Sequence, residues 1–81
     1  MMKAIVNVFL KAGVLDAQGK AVHHALTSLH FNNVSNVRVG KQIIFSLDEK
    51  DEKKAMTAVT KMCEELLANT VIEDYTIELI K

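Results

Sequence analysis

The sequence predicts an α+β domain in which two helices cover one face of a four-stranded antiparallel sheet. Two observations carry this prediction. Stretches whose apolar residues alternate with a period of two, typical of strands, take turns along the chain with stretches of helical period. In the middle of the chain, two strand-like stretches are separated only by Gly40-Lys41, which is typical of a hairpin. The resulting order, βαββαβ, is that of a ferredoxin-like two-layer sandwich.

The first half of the chain supplies a strand, a helix and a second strand. Residues 3–11 alternate with period two, which predicts the first strand. Asp16 is a favoured N-cap for the helix that follows, and Asn32-Asn33 is expected to end that helix. Residues 34–39 are rich in valine and are expected to form the second strand. The apolar stripe of this helix, expected to face the sheet, comprises Val22, Ala25, Leu26 and Leu29.

The second half supplies a strand, a helix and a last strand. Residues 42–47 are the returning strand of the hairpin, and the acids in residues 48–54 mark a helix start, where they complement the helix dipole. Asn69 is expected to end this helix in the left-handed conformation, before a strand over residues 70–80. The helix is expected to bury Ala55, Val59, Met62 and Leu66. The two strands are expected to bury Ile43, Phe45, Leu47, Val71, Tyr75, Ile77 and Leu79.

The opposite face of the predicted sheet is also partly apolar. An antiparallel sheet with helices on one side leaves its other side open. The apolar residues predicted on that side are Ile5, Phe9, Ile44, Ile72 and Ile80. Because a patch of this kind usually marks an interaction surface, we expect the chain to associate with copies of itself through this face. The alternative is a monomer that tolerates the exposed patch.

Composition limits the class of protein. The 81 residues are enough for one domain, residues 1–81, with ten basic and ten acidic residues and a formal net charge of zero. This balance argues against nucleic-acid binding, which needs a basic face. No apolar run approaches the roughly 18 residues of a membrane span, and residues 1–11 lack a signal-peptide cleavage site. The single cysteine excludes an internal disulfide framework, so we expect a cytoplasmic protein.

The sequence offers no clear set of catalytic, cofactor-binding or metal-binding residues. His23 and His24 are adjacent on a helix and therefore point in different directions, which is a poor arrangement for holding one ion. Cys63 lies beside the apolar stripe of the second helix and is expected to be a core residue. The three glycines are far apart, so no phosphate-binding loop is expected.

Two further positions leave alternatives open, and a third needs a partner that the sequence does not identify. Arg38, with Lys41, is expected either to bind a phosphate or partner carboxylate, or to be the solvated end of the hairpin. Gly19, in the first turn of a helix, indicates either close packing of a neighbouring backbone or a helix start left open for a partner. Glu73 is expected on the helix-covered face, where it needs a charged or backbone partner that the sequence does not identify.

Several segments resemble the PurS family, the small subunit of phosphoribosylformylglycinamidine synthase. They are Val14–Gly19, Val37–Lys41, Cys63-Glu64 and Leu66–Tyr75, and they occur in the family's order along the whole chain. Ala17 stands where the family usually has proline. Proline is favoured but not required at the first helical position, so this departure changes little.

The resemblance implies a subunit without an active site of its own. It implies a scaffold between a PurQ-like glutaminase and a PurL-like synthetase, so that ammonia from glutamine reaches formylglycinamide ribonucleotide. ATP, magnesium and glutamine would be used by those partner subunits, and the scaffold would be a homodimer or homotetramer. From motif position, the residues expected to shape partner contacts are Asp16, Gln18, Gly19, Arg38, Lys41, Glu73 and Tyr75.

Two other functions fit a chain of this topology. A stand-alone small-ligand-binding regulatory module would bind a specific ligand and need no large partners. A small enzyme would need convergent polar residues, which the sequence does not present. Fold alone does not separate these possibilities from a scaffold subunit.

Overall fold

The computed structural model describes residues 1–81 and shows an α+β fold with two α-helices and one antiparallel sheet. The elements in chain order are β1 (Met2–Leu10), α1 (Ala17–Ser28), β2 (Lys41–Leu47), α2 (Glu52–Met62), a π-helical turn (Cys63–Leu67) and β3 (Glu73–Ile80). Asp16 and Asp51 are the N-caps of the two helices, and Ala17 is the first residue of α1. Neither helix is long and apolar enough to span a membrane.

The central strand of the sheet is β1, and both of its edges are occupied. The strand order is β2-β1-β3, with each neighbour antiparallel to β1, and Ile5 is paired with Ile44 on one side and Glu78 on the other. The inward residues of β1, such as Val6, pack against Val59 of α2. The predicted inward residues Ile43, Phe45, Leu47, Tyr75, Ile77 and Leu79 all pack against this core.

The predicted second strand, residues 34–39, does not form, so the sheet has three strands instead of four. Residues 34–38 make no backbone hydrogen bond within the chain, and Asn36 adopts a left-handed conformation with φ of 56°. Because β1 has no free edge, a fourth strand could only have joined beside β2 or β3. The chain instead runs directly into β2 at Lys41, so the prediction of a hairpin at Gly40-Lys41 is also wrong.

The prediction that α1 covers the sheet is wrong as well. Val22 and Leu29 of its apolar stripe are 42% and 65% exposed, and Gly19 is its only buried residue. The sheet is covered by α2 and the π-helical turn that follows it, while α1 makes little contact with the other elements. The chain is therefore elongated, measuring 49 × 25 × 14 Å. Its radius of gyration is 16.1 Å, against about 12 Å for a compact chain of this length.

The prediction for the end of α2 is wrong, because the helix ends in a π-helical turn. Here the Ala68 N–H donates to the Cys63 carbonyl, five residues back, so this turn is wider than an α-helical one. The extra residue rotates Leu66 outward, where it is 82% exposed, and Leu67 packs on the core in its place. Cys63 is fully buried, as predicted, and burial raises the pKa of its thiol.

The open face of the sheet carries four of the five apolar residues predicted for it, and the fifth, Ile72, lies in the turn just before β3. Ile5 is partly buried and Ile44 is 51% exposed, and the two lie side by side on β1 and β2. The other members, Phe9, Ile72 and Ile80, are also exposed. We call Ile5, Phe9, Ile44, Ile72 and Ile80 the open-face patch. Its role in self-association stays a prediction.

Candidate functional site

A groove of about 350 Å³ lies where β1 ends and α1, β2 and β3 begin. Three distant parts of the chain meet there, because the antiparallel register brings the start of β3 and the start of β2 to the end of β1. Its walls include four residues predicted to contact partners, namely Asp16, Gln18, Lys41 and Glu73, together with the apolar Leu15 and Val39. Predicted contact residues from all three parts are thus gathered at one end of the molecule.

Asp16 ties the start of α1 to the segment before β2. Its Oδ1 atom accepts a hydrogen bond from the Gly19 N–H at 2.7 Å, and its Oδ2 atom accepts one from the Val39 N–H at 2.9 Å. The Arg38 Nε atom lies 3.4 Å from the same Oδ2. These donors, Val39 first, hold the pKa of the Asp16 carboxyl below its usual range, against the opposing effect of burial. Asp16 is the only buried charged residue of the chain.

The Arg38 side chain bonds to other groups of the same chain, which neither of the two sequence alternatives anticipated. Its Nη2 atom donates to the Leu10 carbonyl at 2.8 Å and lies 3.4 Å from the Lys11 carbonyl, while its Nε faces Asp16. The guanidinium therefore links the end of β1 to the start of α1. Lys41, by contrast, makes no ion pair, so its ammonium is free to meet a partner at the groove.

Gly19 and Gly40 permit close backbone contacts beside the groove. A Cβ atom at Gly19 would lie 2.5 Å from the Val37 carbonyl oxygen and 2.9 Å from the Asp16 carboxyl carbon. A Cβ atom at Gly40 would lie 2.7 Å from the Val8 carbonyl oxygen. The contact at Gly19 supports the close-packing alternative. Sequence reasoning missed Gly40 as a groove residue, although an isolated glycine beside a strand is a known signal of close backbone approach.

The segment from Asn69 to Glu73 is a hydrogen-bonded turn. The Glu73 Oε1 atom accepts from the Asn69 N–H at 2.6 Å, and the Glu73 N–H donates to the Asn69 carbonyl at 2.7 Å. The Asn69 Oδ1 atom accepts from the Val71 N–H at 3.2 Å. The partner of Glu73 is therefore a backbone N–H group. Asn69 ends the helix by this turn and not by the predicted left-handed conformation. Val71 lies in the turn, 82% exposed, so its predicted place in the last strand is wrong.

Tyr75 lies away from the groove, on the face covered by α2. Its hydroxyl donates to the Glu64 Oε2 atom at 2.7 Å and joins β3 to the π-helical turn. This hydrogen bond, with lesser contributions from burial and from the Glu64 charge, raises the pKa of Tyr75 to about 12. The sequence did not identify Glu64 as the partner of Tyr75, because the direction of the Glu64 side chain depends on the wider turn.

Titration of the only tyrosine tests this contact. Following the absorbance of the ionised phenol, we expect half-ionisation of Tyr75 near pH 12 in the wild type and closer to pH 10 in Glu64→Gln. Because the folded pKa is the higher one, the contribution of Tyr75 to stability is present below pH 10 and is lost as the pH rises towards 12. Circular dichroism at each pH shows that the chain is still folded. Equal midpoints in the two folded proteins would contradict the contact.

The chain matches known proteins over its whole length. Residues 3–81 match the family model described as "PurS: Phosphoribosylformylglycinamidine (FGAM) synthase". The chain belongs to the PurS family. It is 51% identical over 79 residues to the phosphoribosylformylglycinamidine synthase subunit PurS of Bacillus subtilis (strain 168), covering 98% of this chain and 93% of the relative. It is 43% identical over 81 residues to the PurS subunit of Methanocaldococcus jannaschii, covering 100% and 98%.

Solved PurS structures share the fold. The crystal structure of Methanocaldococcus jannaschii PurS has a TM-score of 0.91 at 44% identity, with 100% of this chain and 98% of that chain covered. A chain in the structure described as "PurLQS from Thermotoga maritima" has a TM-score of 0.88 at 30% identity, covering 98% and 96%. The arrangement of three strands and two helices is thus close to that of experimentally determined PurS chains.

Proposed function

We propose that the chain is a non-catalytic scaffold subunit of phosphoribosylformylglycinamidine synthase in de novo purine biosynthesis. It bridges a PurQ-like glutaminase and a PurL-like, ATP-dependent synthetase, so that ammonia released from glutamine reaches formylglycinamide ribonucleotide. The observation that carries this proposal is the match to PurS over residues 3–81, joined to the likeness to a chain of the PurLQS structure. In this role the chain works in the cytoplasm and holds no cofactor, while ATP, magnesium and glutamine are used by the larger subunits.

The partner-contact site in this proposal is the groove and its rim. Asp16, Gly19 and Arg38 are already engaged with one another and shape the groove. Gln18 and Lys41 make no side-chain bond within the groove, and Leu15 is 66% exposed beside them, so these three are free to contact a partner. Glu73 accepts the hydrogen bond that closes the turn from Asn69 to Glu73 beside the groove. Tyr75 links β3 to the π-helical turn through its hydrogen bond to Glu64.

Self-association is the second part of the proposal, and the accessible surface supports it. The chain exposes 5963 Å². A compact monomer of this mass exposes about 4,900 Å², so roughly 1,100 Å² is in excess. A standard protein interface buries about 800 Å² of each partner. The excess is therefore enough for a stable homodimer or homotetramer that covers the stripe of α1 and the open-face patch.

The free edge of β2 supplies a further place for a second copy. An unpaired edge seven residues long readily accepts another strand, and residues 34–38 have backbone groups without partners in the chain. Pairing of these segments between two copies would complete the four-stranded, ferredoxin-like sheet that the sequence pattern predicts.

Light scattering tests self-association. We expect a wild-type mass of two or four chains, and Ile44→Lys is expected to raise the Kd for self-association at least about tenfold, because it places a charge in the apolar patch. Met56→Lys is the matched control, since Met56 is an exposed apolar residue of α2 outside that patch. A monomeric wild type, or equal effects of the two variants, would contradict the role of the patch.

Assembly tests the scaffold role. The chain is mixed with the glutaminase and synthetase subunits of the same pathway, and the products are separated by size. We expect one complex containing all three proteins, and expect the two larger subunits to separate when the chain is left out. Co-elution of the larger subunits in equal yield without the chain would contradict bridging.

A stand-alone ligand-binding module is the alternative function, and the groove volume is the one observation that favours it. About 350 Å³ is at the lower end of the range for small-molecule sites. The polar groups of Asp16 and Arg38, however, are already bonded to the chain itself. Binding of a small metabolite to the isolated chain, with no binding of the larger subunits, would favour the alternative.

A further inference from the structure

Residues 16–39, which include α1, form an arm beside the sheet. Asp16 and Gly19, both at the base of the arm, are its only buried residues. Beyond α1 the arm returns towards β2 through residues 34–38, which make no backbone hydrogen bond within the chain. The arm is therefore held at its base, and the question is which groups fix its direction.

The two ends of the arm are bonded to each other. Asp16, its first residue, accepts from the N–H of Val39, its last residue, at 2.9 Å, and its Oδ2 atom lies 3.4 Å from the Arg38 Nε. Beside this contact, a Cβ atom at Gly19 would lie only 2.5 Å from the Val37 carbonyl oxygen, so the two backbones are in close contact. The base of the arm is thus closed, and any movement of the arm takes both ends with it.

Arg38 makes the only hydrogen bonds between the arm and the rest of the chain. Its Nη2 atom donates to the Leu10 carbonyl at 2.8 Å and to the Lys11 carbonyl at 3.4 Å. No other hydrogen bond or ion pair joins residues 16–39 to residues outside that range. One guanidinium therefore bonds to both bodies, through Nε to the base of the arm and through Nη2 to the end of β1.

The two covalent connections of the arm are not held equally. On the outgoing side, Gly13 has a φ of 87°, and a Cβ atom placed there would have no atom within 4 Å. On the return side, a Cβ atom at Gly40 would lie 2.7 Å from the Val8 carbonyl oxygen, so Gly40 is packed against β1. The return side is thus a fixed pivot, and the outgoing side has space in which to move.

The groove is the space between the arm and the sheet. Phe9 and Leu10 of β1 line one side, and Ala17 and Gln18 of α1 line the other. Because about 350 Å³ separates these walls, side-chain packing does not fix the distance between them. The direction of the arm therefore sets how far the groove opens.

We propose that Arg38 is a positioning residue that sets the direction of the arm on the sheet. It holds the arm in the orientation that opens the groove and presents the apolar stripe of α1 to a second copy of the chain. This use of the arm rests on the proposed function, in which self-association covers that stripe. Arginine suits the position because its planar guanidinium donates in two directions, to Asp16 and to the Leu10 carbonyl, whereas the lysine ammonium is a single point charge.

Distances between two spin labels, measured by pulsed electron paramagnetic resonance, test the proposal. The labels are attached to Thr27→Cys, near the far end of α1, and to Lys61→Cys on α2, both at exposed positions. Cys63 is fully buried and does not take a label. An excess of unlabelled chain restricts the measurement to distances within one chain. We expect the distance distribution to be at least about twice as wide in Arg38→Gln and in Arg38→Lys as in the labelled parent, because neither side chain spans both contacts.

The Kd for self-association is the second readout. It is expected to rise about tenfold in both Arg38 variants, since a smaller fraction of arms points in the direction that the second copy requires. Lys81→Gln is the matched control, because it removes one positive charge and the surface ion pair with Glu52, outside the arm. We expect this control to change neither readout. Circular dichroism shows that each variant is folded under the conditions of both measurements.

The outcomes separate this inference from the proposed function. Equal distance distributions in the parent, the control and the two Arg38 variants would overturn the proposal. In an oligomeric protein, wider distributions with an unchanged Kd would also overturn it, since the direction of the arm would then not matter for association. A monomeric wild type, with wider distributions in the Arg38 variants, would leave Arg38 as the residue that sets the direction of the arm and would overturn the self-association part of the proposed function.

Discussion

Replacing Gly19 by alanine is expected to destabilise the protein by about 1–3 kcal/mol, the usual cost of overpacking. In an exposed helix this substitution would be favourable by about 1 kcal/mol. Here the new Cβ atom would lie 2.5 Å from the Val37 carbonyl oxygen, which belongs to backbone and cannot rotate away. Moving this backbone would also disturb the hydrogen bond from the Val39 N–H to Asp16.

The reverse substitution two residues along the helix is the matched control. Ala21 is exposed in α1, so Ala21→Gly is expected to cost only the ordinary propensity difference of about 1 kcal/mol. Urea unfolding is compared at one fixed protein concentration, because self-association makes apparent stability depend on concentration. A Gly19→Ala variant as stable as the wild type would show that the start of α1 is not packed against residue 37.

Asp16→Asn is expected to lower the Tm by several degrees, although asparagine is as good an N-cap as aspartate. The reason is that Asp16 accepts through both oxygens, from Gly19 on Oδ1 and from Val39 on Oδ2. Asparagine has one oxygen, so its NH₂ group would face a second donor, with the Arg38 guanidinium nearby. The link between α1 and the segment before β2 would be lost.

Asp51→Asn is the control for this change. Asp51 caps α2 through Oδ1 alone, so asparagine keeps both of its hydrogen bonds and the Tm is expected to change little. The pH dependence gives a second readout. Because the folded pKa of Asp16 is below 3.8, its contribution is present above pH 3.8 and is lost as the pH falls through the folded pKa. The Tm difference between wild type and Asp16→Asn should therefore shrink in acid. Equal effects of the two asparagine variants at neutral pH would contradict the double role of Asp16.

β1, β2 and β3 and the inward side of the sheet could be predicted from the sequence, because period-two alternation reports directly which residues share a face, whereas the strand predicted over residues 34–39 does not form. Val6 of β1 and Phe45 of β2 are on the predicted side. The helical period of the first predicted helix marked Val22 and Leu29 as residues to be covered, but it does not say what covers them. An apolar stripe on a helix can be buried by a second copy of the chain as well as by the sheet of the same chain.

Four of the seven residues expected to shape partner contacts line the groove, but the sequence did not predict what any of them bonds to. Motif position selected Asp16, Lys41 and Glu73, which the structure brings to one groove. The hydrogen-bond partners of Asp16 and Glu73 could not be predicted. Both carboxylates accept from backbone N–H groups, which do not depend on residue type and so leave no signal in the sequence. The wider turn at Cys63–Leu67, which exposes Leu66, has no pattern that distinguishes it from the α-helix before it.

The most direct test of the scaffold role is turnover by the reconstituted enzyme. Amidine formation is measured with the glutaminase and synthetase subunits, with and without this chain, using either glutamine or ammonia as the nitrogen source. We predict that glutamine-dependent turnover requires the chain, while ammonia-dependent turnover by the synthetase persists without it. Equal glutamine-dependent turnover with and without the chain would contradict the scaffold role.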